Sequence, residues 1–192
     1  MSRLHLIRHG PTHARAMVGW SDLPADLGDF AALERLSAHL PAAAVVVSSD
    51  LVRAVATADA IQGSRRRLAH RPDLREIGFG AWELRDLREI ETEDPELARA
   101  YWRSPGDIRA PGGESWNQMR ARTDAAIDAL IAEHEGGDIV IVAHLGVILS
   151  QIQRALGLSA AAVISRPIDN LSLTRITRLD RGWRVEAINH LP

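Results

Sequence analysis

The chain has 192 residues, 46% hydrophobic and 25% charged, which is enough apolar material for one sizeable core. Its formal net charge of −2 gives no global basic field for nucleic acid, so any cationic site must be local. Cysteine is absent, which excludes disulfides, thiolate catalysis and cysteine zinc centres, and no run is apolar and long enough to span a bilayer.

The first strand is expected over Arg3 to Arg8 (RLHLIR). Arg8 and His9 interrupt any signal-peptide apolar region there, so a cytoplasmic protein is expected. Pro11, Gly19, Pro24 and Gly28 then mark a long loop. Asp29 to Leu40 carries Phe30, Leu33, Leu36 and Leu40 at helical spacing. Ala44 to Ser48 (AVVVS) is a continuous apolar run, as in a strand buried on both faces. Asp50 is expected to cap the next helix, Leu51 to Ile61, and a short strand to follow at Leu68 to His70.

From Leu74 to Gly113 the pattern loosens, broken by Pro95, Pro105, Pro111 and several glycines. This stretch reads as an insertion of short helices and loops over one end of a sheet. Ser115 opens a long amphipathic helix to about Glu135, and Gly136-Gly137 stops it. Asp138 to Ala143 (DIVIVA) is a second buried strand, and Gly146 to Leu156 a helix ended by Gly157. Leu171 to Thr177 and Trp183 to Ile188 flank Asp180-Arg181-Gly182 as a terminal hairpin. Alternating strands and helices predict an α/β three-layer sandwich, a mostly parallel sheet with helices on both faces, in one domain over 1–192.

In open α/β sheets ligands bind beyond the carboxyl ends of strands. Three stretches here place polar groups at such ends: Arg8-His9-Gly10, Ser48-Ser49-Asp50 with Arg53 a turn later, and His144-Leu145-Gly146. They bring two histidines and two arginines to one rim, which a phosphate would explain, because the arginine fork matches phosphate oxygens. Arginines beside an imidazole also disfavour its protonation, and a neutral imidazole has a lone pair free for nucleophilic attack.

Arg8-His9-Gly10-Pro11-Thr12 resembles the Arg-His-Gly-x-Thr signature of the histidine phosphatase superfamily, the phosphoglycerate-mutase-like proteins. Further blocks agree in order: Ser48 to Ala58, Leu74 to Glu83 (LREIGFGAWE), Gly112-Gly113-Glu114-Ser115 and Val142-Ala143-His144. The length suits the small phosphatase branch. The resemblance implies a phosphomonoesterase acting on a small phosphorylated metabolite without metal or organic cofactor. His9 would be the nucleophile. Arg8, Arg53 and His144 would hold the phosphoryl oxygens, and Glu76 would be the proton donor, with Glu83 its rival in the same block. Thr12, Arg15 and Trp82 join Arg8 and Arg53 as candidates for substrate contact.

Two positions depart from the family pattern. Arg15 stands where asparagine is usual, which either strengthens phosphate binding or points to a second anionic group on the substrate. Leu145 directly follows the second histidine, where glycine is usual, which questions a backbone donor there and narrows the pocket. Two other functions compete: a mutase returning the phosphoryl group to substrate, and a catalytically weak phospho-ligand or partner-binding module. The chain ends soon after its last strand, at Ile188 to Pro192, which favours hydrolysis; the intact Arg8, His9, Arg53, Glu76 and His144 count against the binding module. Sugar phosphates, nucleotide-precursor phosphates such as a ribazole phosphate, and small phospho-acids are all compatible substrates. No nucleic-acid or membrane partner is expected, and no oligomeric state is assigned.

Overall fold

The computed structural model describes residues 1–192. Six strands form one sheet: β1 (Ser2–Arg8), β2 (Val45–Ser48), β3 (Arg66–Arg67), β4 (Asp138–Ala143), β5 (Leu173–Arg178) and β6 (Trp183–His190). Their order is β3-β2-β4-β1-β5-β6. The first four run parallel, and β5 and β6 add an antiparallel edge. The architecture is a three-layer α/β sandwich, as the alternation of elements predicts.

Strand periodicity divides the core. Leu4, Leu6, Ile139 and Ile141 face one side of the sheet, and Ile7, Val140 and Val142 face the other. Helices α5 (Trp116–Glu133), α6 (Leu145–Leu156) and α7 (Ala160–Ile164) bury Met119, Ile127, Leu130, Val147, Ile152 and Val163 on the first face. Helices α1 (Phe30–His39) and α2 (Val52–Ile61) bury Leu33, Leu36, Ala54, Ala58 and Ile61 on the second. Both faces of β4 are therefore covered, which is why its sequence is apolar without alternation.

Helix ends follow local chemistry where the chain offers it. Ser115 and Gln118 form a reciprocal capping box at the start of α5, and Gly157 ends α6 at φ 65°. Asp50 does not cap α2 as expected. Leu51 takes the cap position with no side-chain bond, and Asp50 instead receives both arms of Arg75, at 2.7 and 2.6 Å. A bidentate guanidinium outcompetes a helix amide for this carboxylate. Strand β3 lies two residues before the expected stretch, because its register is set by pairing with Val45 and Val46 of β2. Helix α7, capped by Ser159, was not foreseen: its five residues carry too short a pattern.

The stretch from Leu74 to Gly113 folds into 3₁₀ turns and the helices α3 (Leu87–Glu93) and α4 (Pro95–Arg103). It has a small core of its own in Trp82, Ile90, Ala98, Tyr101 and Ala110. Trp82 meets Tyr101 edge-on at 5.2 Å. No helix is long and apolar enough to cross a membrane.

Candidate active site

Register places the polar strand ends side by side: Arg8 of β1 lies opposite Ala143 of β4, and Ser48 of β2 opposite Val142. His9 follows directly, and its backbone is gripped from two sides. Its N–H donates to the Ala143 carbonyl at 3.1 Å, and its carbonyl accepts from Asn170 Nδ2 at 2.7 Å. The next amide, Gly10 N–H, donates to Thr57 Oγ1 at 2.9 Å. The imidazole Nδ1 lies 2.7 Å from the Gly10 carbonyl, which can only accept, so Nδ1 carries the proton and Nε2 the lone pair. Arg53 Nε donates to that Nε2 at 3.2 Å. His144 packs behind, with ring centroids 5.0 Å apart. It is fully buried at the N-cap of α6; its Nε2 lies 2.7 Å from Ser49 Oγ and its Nδ1 has no partner.

Arg53, 1% exposed, is the most deeply buried cation. Besides reaching His9, it donates through Nη1 to the Ser21 carbonyl at 2.8 Å and through Nη2 to the Gly19 carbonyl at 2.6 Å. The same loop is clamped by Glu83, whose carboxylate accepts from the amides of Gly19, Trp20 and Ser21 and from the Ser21 hydroxyl. A fifth bond comes from the Phe79 amide. Burial alone would raise the Glu83 carboxyl, but the Ser21 hydroxyl and these amides outweigh it and hold it below the ordinary carboxylate value.

Glu76, 8% exposed, shares a cavity of about 200 Å³ with Arg8, His9 and Arg53. Its Oε1 accepts from Ile77 N–H at 2.9 Å, and both carboxylate oxygens lie 3.1 Å from Gly146 N–H at the start of α6. The approach needs glycine there: a Cβ on Gly146 would sit 2.3 Å from Glu76 Oε1. The Glu76 carbonyl is tied down by Arg122 Nη2 at 2.8 Å and Trp20 Nε1 at 2.7 Å. Arg122 in turn pairs with Glu114. Glu76, not Glu83, is thus the carboxylate that opens onto the cavity.

The sequence model of the histidine phosphatase superfamily (branch 1) matches residues 4–191, nearly the whole chain. The chain belongs to this superfamily. A Proteus mirabilis relative named probable phosphoglycerate mutase GpmB is 30% identical and spans 100% of this chain and 95% of its own. The Bacillus stearothermophilus YhfR structure superposes with a TM-score of 0.91 at 27% identity, covering 100% of this chain and 98% of that one. The α-ribazole phosphatase of Shigella flexneri gives 0.86 at 27%, covering 98% and 96%. These likenesses support a phosphatase or mutase of small phosphorylated molecules.

The two departures from the superfamily pattern are placed by the structure. Arg15 is exposed and outside the cavity lining. Leu145 lines the cavity, while the amide after it, on Gly146, is taken by Glu76. Of the other candidates, Arg8 lines the cavity and donates through Nη1 to the Ile168 carbonyl at 2.6 Å, leaving its buried Nε without a partner. Thr12 lines the cavity too. Trp82 does not: it is 4% exposed, inside the core of the Leu74–Gly113 stretch. Sequence reasoning gave no role to Ser49, Thr57 or Arg122, although each lies in or near a motif block. Asn170, 161 residues from His9, had no local signal at all.

Burial, reinforced by Arg53 and Arg8 against the bond to Gly10, pushes the His9 imidazole down to about 3. Burial, with His9 and Arg53 nearby, holds His144 well below the ordinary 6.5. Both are therefore neutral when folded, whereas the unfolded chain takes up their protons near pH 6.5. Stability is complete above that value and falls as pH drops below it, by roughly 1 kcal/mol per histidine between pH 7.5 and 5.5. Urea unfolding at the two pH values measures the loss, and His9→Ala removes its share of the slope.

Proposed function

We propose that the protein is a phosphomonoesterase that works without metal through a phosphohistidine. The observation that carries this reading is the tautomer of His9. Its proton is committed to the Gly10 carbonyl, and its Nε2 lone pair, which accepts from Arg53 Nε, lies at the cavity that holds Arg8, Arg53 and Glu76, so that the Arg53 N–H passes to the phosphoryl oxygens as Nε2 attacks. Nε2 attacks phosphorus as the ester P–O bond breaks, and Glu76 gives its proton to the departing oxygen. Glu76 then takes a proton from water, whose oxygen displaces His9 from phosphorus and frees phosphate. Charge on the phosphoryl oxygens is met by Arg8 and Arg53. His144 lies behind His9 and outside the cavity lining, and with the Ser49 hydroxyl donating to Nε2 its unpartnered Nδ1 carries the proton.

The test is phosphate release from aryl phosphates. Turnover persists in excess chelator, and its loss there removes the metal-free mechanism. Glu76→Ala slows esters of poor leaving groups by about 10²–10⁴-fold and activated esters far less, because only the former need a proton in the transition state. Gly146→Ala shows the same leaving-group dependence, since its methyl displaces the Glu76 carboxylate. Equal slowing of both ester types overturns the acid role. The Proteus relative's name suggests the mutase alternative, which predicts isomerised monophosphoglycerate with no free phosphate.

A further inference from the structure

Part of the cavity lining has a composition of its own. From Thr12 to Val18 the loop turns alternate residues to the cavity: Thr12, Ala14, Ala16 and Val18 line it. The residues between face elsewhere. His13 pairs with Asp26 at 2.9 Å, Arg15 is exposed, and Met17 packs against the core around Trp82. Phe79 and Leu145 also line the cavity. The only cations lining the cavity are Arg8 and Arg53. Arg53 is bound to His9 and already has Nη1 and Nη2 on backbone carbonyls, while Arg8, held to Ile168 through Nη1 alone, is the cation left for the phosphoryl group, so the lining holds no third cation for a second anion remote from phosphorus.

Resting on the phosphatase reading, we propose that the leaving group is an uncharged, compact and largely apolar alcohol or phenol. A carboxylate or second phosphate placed against Ala14, Ala16, Val18, Phe79 and Leu145 loses its water and finds no compensating charge. A small alkyl or aryl group gains from the same burial, and Phe79 offers it an aromatic surface. The Thr12 hydroxyl is the one neutral polar handle in this part of the lining. Arg15, which in sequence suggested a second anionic group, is exposed and absent from the lining. Phosphoglycerates, which carry a carboxylate beside the phosphate, fit this lining poorly.

The experiment compares phenyl phosphate with 3-carboxyphenyl phosphate, and butyl phosphate with 3-phosphoglycerate, by phosphate release from the wild-type protein. The uncharged member of each pair has a kcat/KM at least about 10-fold higher, a difference of about 1.4 kcal/mol. Ala16→Arg narrows or reverses the preference by supplying the missing cation. Thermal melting confirms that this variant folds, and the wild-type pairs decide the matter without it. Equal kcat/KM within both pairs overturns the proposal and leaves the phosphatase reading intact. No release from any of the esters removes the phosphatase reading, and this proposal with it.

Discussion

His9→Ala lowers phosphate release by about 10⁴-fold or more, the scale on which loss of a covalent nucleophile is felt when the rest of the site survives. Arg8, Arg53 and Glu76 remain to bind the ester, so KM changes far less than kcat. A brief incubation with a ³²P-labelled aryl phosphate, quenched in base, leaves acid-labile label on the wild-type chain and none on the variant. Turnover within 10-fold of wild type, or label retained by the variant, would mean that another group attacks phosphorus. The substitution does not unfold the chain, because the backbone of residue 9 is held by Ala143 and Asn170 independently of the ring.

Arg53→Lys is expected to cost about 10³-fold in kcat/KM although it keeps the positive charge. The guanidinium makes three divergent bonds, to His9, Gly19 and Ser21, and still faces the cavity. An ammonium is a single point of charge and cannot span those directions. It leaves a backbone carbonyl of the Gly19–Ser21 loop unpaired and loses the planar fork on the phosphoryl oxygens. Removing one preorganised donor to developing charge costs about 10²–10³-fold, and an arginine on a transferring phosphoryl about 10³–10⁵-fold. Circular dichroism reports a folded variant, and the kinetics then isolate the fork. Activity within 10-fold of wild type would show that charge alone suffices at this position.

The two predictions differ in how visible their residues were. His9 could be named from the strand end and the motif block it opens. Arg53 could be placed at the rim, since one helical turn after a buried strand brings a side chain there. Its bonds to the Gly19 and Ser21 carbonyls could not be foreseen, because that loop has no periodic signal. The choice between Glu76 and Glu83 has the same origin. Both stand in one block, both are acidic, and nothing in their spacing says which carboxylate is spent on backbone amides.

The sequence by itself determined the layers of this protein and the chemistry at its strand ends. Periods of 2 and 3.6 residues are local, and so is the apolar run of β4 that demands cover on both faces. The resemblance of its blocks, borne by contiguous residues, led to the superfamily. What only the tertiary structure decided are relations across long separations. These are the glycine at 146 that lets Glu76 approach, the Asn170 amide on His9, and the Glu83 clamp on the loop that holds Arg53. The direction of Arg15 belongs with them. A residue in an irregular loop faces the cavity or solvent according to where its neighbours are anchored, and those anchors, Asp26 for His13 and the core around Trp82 for Met17, exist only once the chain has folded.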